Sequence, residues 1–552
     1  MIIGFRTKLL ASIAVGVIAV LGSMPARADD TAAEIAALKA ELRRLEAKVE
    51  AQGKTTAQTR AELASLPVPT RKGETEVFAC PPGKFCYKGL TITPGGFFAL
   101  EGLYRSHNLE SDVDTPFASI PFAGNGHFVV GPTNGGLGVG HTAEERFSER
   151  QSRLSLLVEG KVDPATSLAG YAEFDFLGAA QTANENESNS FTPRVRHLYA
   201  TIDRSDWGLH VLAGQTWSLA TLSSQGMVPR KEQIPLTIDA QYVAGFSWTR
   251  TPEIRVVKDF GPYFAVGVSA ENSATTFTGT APTAAGIVAT SLNGCGGGTA
   301  TFDPSGDQLL NACNTYSIND IPDFIGKATF DPTIADHKVH MEAYGLLRDF
   351  YDRTDPTALA SANHDVYGGG FGGGVVAEII PKYLDVQFSG LTGNGIGRYG
   401  TSGLPDVTYN SVTGALTPIP ETQLLAGVIV HPWAGLDVYG YAGEEFESAK
   451  YVPGAASGFG LGNPASINAG CISEFSTAAC VGQTRSVGEV TVGLWDTIYK
   501  GDFGMLRAGF EYEDIERTGF AGAASAAHAT FGTITPTANE QVFMTSLRYY
   551  PF

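Results

Sequence analysis

The sequence is poor in charged residues and, beyond its N-terminal region, lacks long apolar runs. Charged side chains make up 17% of the 552 residues, and the formal net charge is −19. After residue 28 no stretch reaches the roughly 18 uninterrupted apolar residues that a transmembrane helix requires. The strongly acidic balance excludes electrostatic binding to nucleic acid.

Motifs for catalysis, cofactors and metals are also scarce. Neither H-E-x-x-H nor G-x-S-x-G occurs, and the ten histidines are scattered without a ligand spacing. Gly368, Gly370 and Gly373 match a G-x-G-x-x-G pattern, but no βαβ unit surrounds them. We therefore predict a protein that is not an enzyme and that needs no cofactor or metal.

Residues 1–28 have the three parts of a cleaved export signal. Arg6 and Lys8 supply the positive start, residues 9–21 are apolar, and Ala26-Arg27-Ala28 is a small-x-small cleavage site. The apolar run is too short to span a membrane comfortably as an anchor. We expect an exported mature chain that begins at Asp29.

Residues 29–52 predict an α-helical coiled coil. The seam residues are spaced three and four apart, as in a heptad repeat, and this mixture does not fix the number of helices in the coil. These residues are Ile35, Leu38, Leu42, Leu45 and Val49. Residues 53–79 lack periodicity, and residues 53–94 are predicted to form a linker that contains a Cys80–Cys86 loop.

Residues 95–552 predict a β-barrel that crosses a membrane. Segments of about ten alternating residues recur, as at 168–177, where Phe174 and Phe176 alternate with Glu173 and Asp175. Eight long polar loops and seven short turns connect these segments in alternation, which indicates sixteen strands. The turns include Asp163-Pro164 and Gly501-Asp502. The predicted fold is all-β: a 16-stranded antiparallel transmembrane β-barrel with an N-terminal α-helical coiled coil.

The six cysteines fall into three local pairs. They are Cys80 with Cys86, Cys295 with Cys313, and Cys471 with Cys480. Local, even-numbered cysteines in an exported chain favour disulfides that clip loops. Nearest-neighbour pairing is the simplest of the fifteen connectivities that six cysteines allow.

Three short stretches resemble strands of a known protein family. Gln151-Ser152-Arg153-Leu154, Arg194-Val195-Arg196-His197-Leu198-Tyr199 and Ala213-Gly214-Gln215-Thr216-Trp217 resemble early strands of the DcaP-like trimeric porins. The resemblance implies a homotrimer with a periplasmic coil that passes small, often negatively charged organic solutes. Cys80 and Cys86 before the first strand instead resemble trimeric porins of alphaproteobacteria, which have the same fold and activity class.

The alternation of side chains along each strand predicts which residues line the pore. Arg153 and Arg255 are predicted to face the lumen. Arg194 and Arg196 share one face of their strand, whose other face is expected to carry Val195 and Tyr199. These four arginines predict a positive wall, since guanidinium groups bind carboxylates in a two-point manner. The alternative is that they neutralise lumenal acids and merely keep the pore hydrated. Those acids are Glu159, Glu173 and Asp175.

The connection at 218–240 is the candidate constriction loop. It carries Arg230, Lys231, Glu232 and Asp239. By resemblance to general porins it folds inward and narrows the channel; the alternative is an ordinary surface loop.

The resulting hypothesis is an outer-membrane porin for passive diffusion of small hydrophilic, preferentially anionic solutes. Its expected partners are outer-membrane lipid, two further copies of the chain, and solutes in transit, with no nucleic acid. The alternative is a barrel that acts as an adhesin or cell-envelope tether, with the coil contacting peptidoglycan or a periplasmic partner.

Overall fold

The computed structural model describes residues 80–552 except for 82, 125–140, 182–190, 280–318, 355–361, 475, 477 and 525–531. The predicted signal peptide, the coiled coil, the linker up to residue 79 and the pair Cys295/Cys313 lie outside the described residues. Within the described part, no helix is long and apolar enough to cross a membrane.

Nineteen hydrogen-bonded segments form one sheet. Three are short: Phe85–Tyr87, Thr333–Ile334, and Glu144–Ser148, which is the first part of an interrupted strand. The other sixteen are the barrel strands β1 (Leu90–Arg105), β2 (Arg153–Lys161), β3 (Thr166–Gln181), β4 (Phe191–Arg204), β5 (Leu209–Trp217), β6 (Arg250–Phe260), β7 (Phe264–Glu271), β8 (Asp323–Phe330), β9 (His337–Thr354), β10 (Ala362–Ile380), β11 (Leu384–Asn394), β12 (Pro420–Trp433), β13 (Leu436–Glu447), β14 (Thr484–Gly501), β15 (Gly504–Gly519) and β16 (Thr537–Tyr550).

The barrel closes between its first and last strands. β1 pairs with β16, where Tyr104 lies opposite Phe543, and with β2, where Phe97 lies opposite Arg153. Neighbouring barrel strands are antiparallel, and closure removes the exposed edges of an open sheet. The prediction of a 16-stranded antiparallel barrel is confirmed. The first strand begins at Leu90, however, and not at Gly95, because the pairing of β1 with β2 continues to Thr91.

Side chains alternate between the lumen and the outer wall. On β13, Tyr439, Tyr441 and Glu445 are buried inside, whereas Val438 and Ala442 are exposed outside. Exposed aromatic residues gather on the outer wall beside the seven short turns, as in the aromatic girdle of a membrane barrel. They include Trp207, Tyr263, Phe330, Tyr383, Trp433 and Phe503.

The two ends of the barrel differ in their connections. Short turns lie at one end, here called the turn end, and long loops lie at the other, the loop end. Three loops are named here: L1 (106–143), L3 (218–249) and L7 (448–483). Disulfides join Cys80 to Cys86 beside β1 and Cys471 to Cys480 within L7.

Candidate pore and its constriction

L3 folds into the barrel and crosses the lumen. It leaves β5 as a small hairpin, residues 222–233 (the L3 hairpin), in which Gln233 N donates to Leu222 O at 2.7 Å and Ser224 N to Lys231 O at 2.7 Å. Residues 234–249 (the crossing segment) then run to the opposite wall and return to β6. A loop on this path divides the lumen, which no surface loop would do.

Carboxylates on the far wall hold the crossing segment by its backbone. Glu511 on β15 accepts hydrogen bonds from Ile238 N at 2.8 Å and Asp239 N at 2.9 Å. Glu489 on β14 accepts from Ala244 N at 2.8 Å, and Glu445 on β13 accepts from Gly245 N at 2.9 Å. Each bond satisfies an amide that would otherwise be buried without a partner.

Close backbone packing accompanies these hydrogen bonds. Gly245 has φ +88°, and a Cβ on it would lie 2.0 Å from the carbonyl oxygen of Leu424. Across the contact, a Cβ on Gly443 would lie 1.9 Å from the carbonyl oxygen of Ala244. Glycine at both positions therefore lets the loop lie directly against the wall.

An apolar cluster fills the part of the lumen next to this far wall. The crossing segment supplies Ile238, Val243 and Phe246, and L1 supplies Val113 and Phe117. The wall contributes Tyr439, Tyr441, Trp495 and Met544 to the same cluster. This part of the lumen is consequently a packed core.

The wall of β2–β6 carries a group of arginines beside the crossing segment. Arg194 Nη2 lies 2.7 Å from Asp175 Oδ2, and Arg196 bridges Asp175 at 3.0 Å and Glu173 at 2.7 Å. The Arg153 guanidinium stacks 5.2 Å from the ring of Phe97. The Arg194 side chain is 37% exposed, whereas that of Arg196 is 3% exposed.

A β-bulge brings this group together. Along β3 and β4 the register passes from Glu173 opposite His197 to Phe174 opposite Val195, so Arg196 is the extra residue. Arg196 and His197 are in consequence both buried on the inside, and Tyr199 joins them there. The simple parity that placed Tyr199 on the side opposite Arg196 is wrong at this bulge.

A fourth arginine, Arg250, completes the group. Its guanidinium lies 4.9 Å from the Trp217 ring and 5.1 Å from the Trp248 ring, and Arg196 lies 5.8 Å from the same Trp217 ring. We call Arg153, Arg194, Arg196 and Arg250 the arginine cluster. Four guanidinium groups against the two carboxylates of Glu173 and Asp175 leave a net charge of plus two.

Tyr242 at the turn of the crossing segment faces the arginine cluster. Its hydroxyl lies 3.5 Å from Arg196 Nη2. Burial opposes ionisation of this phenol, but Arg196, Arg250 and Arg153 outweigh burial and lower its pKa. Tyr242 also has φ +73°, a strained conformation for an aromatic residue that its surroundings must maintain.

Two residues predicted for the pore lining lie outside the arginine cluster. Arg255 is 4% exposed, pairs with Glu253 at 2.7 Å and donates to the Trp217 carbonyl. Glu159 lies near the turn end, 4.0 Å from Lys84. Arg153, Arg194, Arg196, Glu173 and Asp175 are brought together as a group.

The four residues predicted for the loop lie in different parts of L3. Arg230 and Lys231 are exposed on the L3 hairpin, with the Arg230 guanidinium 5.2 Å from the Tyr171 ring. Burial raises the pKa of Glu232. Asp239 lies on the crossing segment, where burial raises its pKa to about 6 although its Oδ1 accepts from Thr115 N and Gln241 N.

Sequence reasoning missed several of these residues. Arg250 is the first residue of β6, directly after L3, and the sequence did not single it out. The anchors of L3 are acids from strands about 200 residues away in sequence or more. A pattern of acids at alternate positions, Glu511 and Glu513 or Glu445 and Glu447, was the available signal for a buried polar wall. Among the described residues, no three acid, histidine or cysteine side chains are grouped as a metal site.

Comparison with solved structures supports this architecture. The outer membrane channel DcaP of Acinetobacter baumannii superposes with a TM-score of 0.52 at 17% identity, covering 84% of this chain and 99% of that chain. The chain has a DcaP-like porin fold. Because nearly the whole of the DcaP channel is matched, the similarity extends over the closed barrel.

Other solved porins superpose on this chain with lower TM-scores. An anion-selective porin from Comamonas acidovorans matches with a TM-score of 0.40 at 9% identity, over 84% of this chain and 99% of that one. OprB of Pseudomonas putida matches with a TM-score of 0.42 at 9% identity, over 83% and 94%. No protein-family model matches the sequence, and no curated protein matches it.

Proposed function

We propose that the protein is an outer-membrane porin that passes small hydrophilic solutes by passive diffusion and prefers anions. The observation that supports the preference is the arginine cluster, with its net charge of plus two beside the crossing segment of L3. The far wall has many acids, but the amides of L3 and the apolar cluster cover Glu445, Glu489 and Glu511, which are all nearly inaccessible. A permeating ion would therefore meet Arg194, whose side chain is 37% exposed, and not these acids.

We also propose that L3 forms the constriction of the pore. Its crossing segment takes up the far half of the lumen and leaves a passage along β2–β6. Solutes on this path would pass Arg194, which is more exposed than Arg196, and then the exposed Arg230. Water-filled pores with one charged wall select ions by local field and not by the charge of the whole chain.

We further propose that the protein is a homotrimer in the outer membrane, with the turn end toward the periplasm. The outer wall of β3–β5 carries a row of small residues in register, Gly170, Ala200 and Ala213, instead of the aromatic residues found elsewhere. Small outward residues allow close contact between protein surfaces within a membrane. The predicted coiled coil would then extend into the periplasm and hold the subunits together.

Liposome swelling tests the porin function. Purified trimers in vesicles should admit small sugars and organic acids at rates that fall steeply with solute size. A folded, heat-modifiable barrel that admits neither would contradict the porin and favour the adhesin or tether.

A further inference from the structure

Two buried glutamates face each other at the loop end of the barrel. Glu421 is the second residue of β12 and Glu447 is the last residue of β13, and the strand register places them directly opposite each other. Their side chains point into the barrel, where Glu421 is 3% exposed and Glu447 is 2% exposed. Opposite residues on antiparallel strands have Cβ atoms about 5 Å apart, and like charges at such positions repel each other. We call these two residues the glutamate pair.

Three of the four carboxylate oxygens of the glutamate pair have no hydrogen-bond donor among the described residues. They are Oε2 of Glu421 and both oxygens of Glu447. The fourth, Glu421 Oε1, accepts from Gln423 Nε2 at 2.9 Å, and Gln423 Oε1 accepts from Ser247 Oγ of the crossing segment at 2.7 Å. Burial of a carboxylate without donors is costly, and such a group in a folded protein points to a bound ion, a bound water or a proton.

The charged groups beside the glutamate pair do not compensate it. Glu445 and Asp406 add negative charge next to both of its members. Arg348 acts on Glu421, but its guanidinium is already bonded to Asp406 at 2.5 Å and to Asp323 at 3.1 Å. In the part of the chain that the structure describes, no lysine, arginine or histidine forms an ion pair with either member of the glutamate pair. This end of the lumen therefore lacks positive charge.

The two neighbouring acids have donors of their own. Glu445 accepts from Gly245 N at 2.9 Å and from Ser402 N at 3.1 Å. Asp406 accepts from the backbone amide of Arg398 at 2.9 Å. A cation attracted to this group of acids consequently finds its free oxygen ligands on the glutamate pair.

We propose that the glutamate pair binds a calcium ion, which joins β12 to β13 at the loop end. All its free ligands are carboxylate oxygens, which hard divalent cations such as Ca²⁺ prefer. Two bidentate carboxylates supply about four of the roughly six to eight oxygens that Ca²⁺ takes, and water supplies the others. The site uses two acidic side chains, so it agrees with the absence of a group of three among the described residues. The bound ion stabilises two facing carboxylates, one of which is connected to L3 through Gln423 and Ser247.

Calcium binding to the full-length protein tests this proposal. The chain is refolded in detergent without lipopolysaccharide, whose phosphates would also bind calcium, then treated with EDTA and titrated with CaCl₂ in a calorimeter. The wild type should bind one Ca²⁺ per chain. Glu421→Gln and Glu447→Gln should each raise the Kd about tenfold or more, because calcium affinity depends on the number of charged ligands. A wild-type Kd in both variants would overturn the proposal.

Two other acids serve as controls for the position of the ion. Glu444 lies on the same strand as Glu447 but is exposed on the outer wall, so Glu444→Gln should bind calcium as the wild type does. Glu513 on β15 also has two buried oxygens that no described residue bonds, and Glu513→Gln should likewise keep the wild-type Kd. Loss of binding in either control, with normal binding in the variants of the glutamate pair, would place the ion elsewhere and contradict the assignment.

Thermal unfolding of the same proteins distinguishes a bound ion from a shared proton. Both variants of the glutamate pair should fold, because each removes one of two facing negative charges. Excess calcium should raise the Tm of the wild type, since an ion that binds only the folded state stabilises it, and should leave the Tm of both variants unchanged. A wild type that binds no calcium up to about 10 mM, beyond the usual range of extracellular sites, would refute the proposal and favour a shared proton. These measurements do not depend on conductance, so failure of the porin function would leave their outcome unaffected.

Discussion

At the scale of single residues, the notable feature is how many charged side chains are buried inside the barrel and how they are compensated. Arg196 is shared by Glu173 and Asp175, and Arg548 pairs with Glu101 at 2.9 Å. Arg250 differs, because it stacks on two indole rings and its buried Nη1 lacks a hydrogen-bond partner among the described residues. Stacking on the faces of Trp217 and Trp248 stabilises the Arg250 cation in place of a carboxylate partner.

Arg250→Gln should reduce the preference for anions. Removing one unpaired charge beside the passage changes the local energy of an ion by about 1 kcal/mol, so the anion-to-cation permeability ratio should fall about two- to fivefold. The zero-current potential under a salt gradient measures this ratio. Arg204→Gln is the control, since Arg204 pairs with Asp206 at 2.8 Å near a turn; an equal loss there would discount the position of Arg250.

Predictability from sequence also varies at this scale. Alternation was enough to bring Arg153, Arg194 and Arg196 to the lumen, because side chains on a strand alternate strictly. It failed for Tyr199, because one extra residue in a bulge reverses parity and no local signal marks the bulge. Alternation made no prediction for Arg250 and Tyr242, whose positions depend on how L3 folds.

At the scale of elements, L3 is the part that gives the barrel a defined interior. Its hairpin donates backbone amides to Asp331, just after β8, and to Glu342 on β9. Its crossing segment donates to Glu445, Glu489 and Glu511 on β13, β14 and β15. The sequence indicated an inward loop only through family resemblance. Its path could not be predicted, because every anchor is a contact between residues far apart in the chain.

Glu511→Gln should loosen the crossing segment. Glu511 receives two backbone amides and the Tyr439 hydroxyl, at 2.6 Å. Glutamine has one acceptor oxygen where Glu511 has two, so the three bonds cannot all form, and each typical hydrogen bond contributes about 0.5–1.5 kcal/mol. Faster hydrogen exchange in residues 234–249 and a larger, noisier conductance are expected.

The control for this variant is Glu516→Gln on the same strand. Glu516 is exposed on the outer wall, where Thr518 Oγ1 donates to it at 3.3 Å. Its replacement should leave exchange in L3 unchanged. Equal effects of the two substitutions would show that L3 is held by packing and not by the carboxylate of Glu511.

At the scale of the whole molecule, the barrel was the most predictable feature. All seven predicted turns lie at the turn end, because tight turns carry local signals such as Asp163-Pro164 and Gly501-Asp502. Sixteen strands then followed from counting. Assembly of several copies depends on surfaces, and the row Gly170, Ala200 and Ala213 becomes visible only when strand register is known.

Ala200→Trp should destabilise the trimer if this row forms the contact between subunits. A bulky side chain there prevents close approach, so the trimer fraction at a fixed concentration of detergent-solubilised protein should fall about tenfold, which corresponds to about 1.4 kcal/mol. Native mass spectrometry or semi-native electrophoresis measures this fraction. Ala442→Trp, exposed on β13 of another wall, should leave the trimer intact; the reverse pattern would place the contact elsewhere.

The most direct test of the central claim is the zero-current potential of the purified protein in a planar bilayer under a salt gradient. We predict stepwise conductance with a reversal potential on the anion side, and a shift toward zero when Arg194 and Arg250 are replaced by Gln together. Conductance with cation selectivity, or anion selectivity that this double variant leaves unchanged, would contradict the assignment of the arginine cluster as the selective wall of the pore.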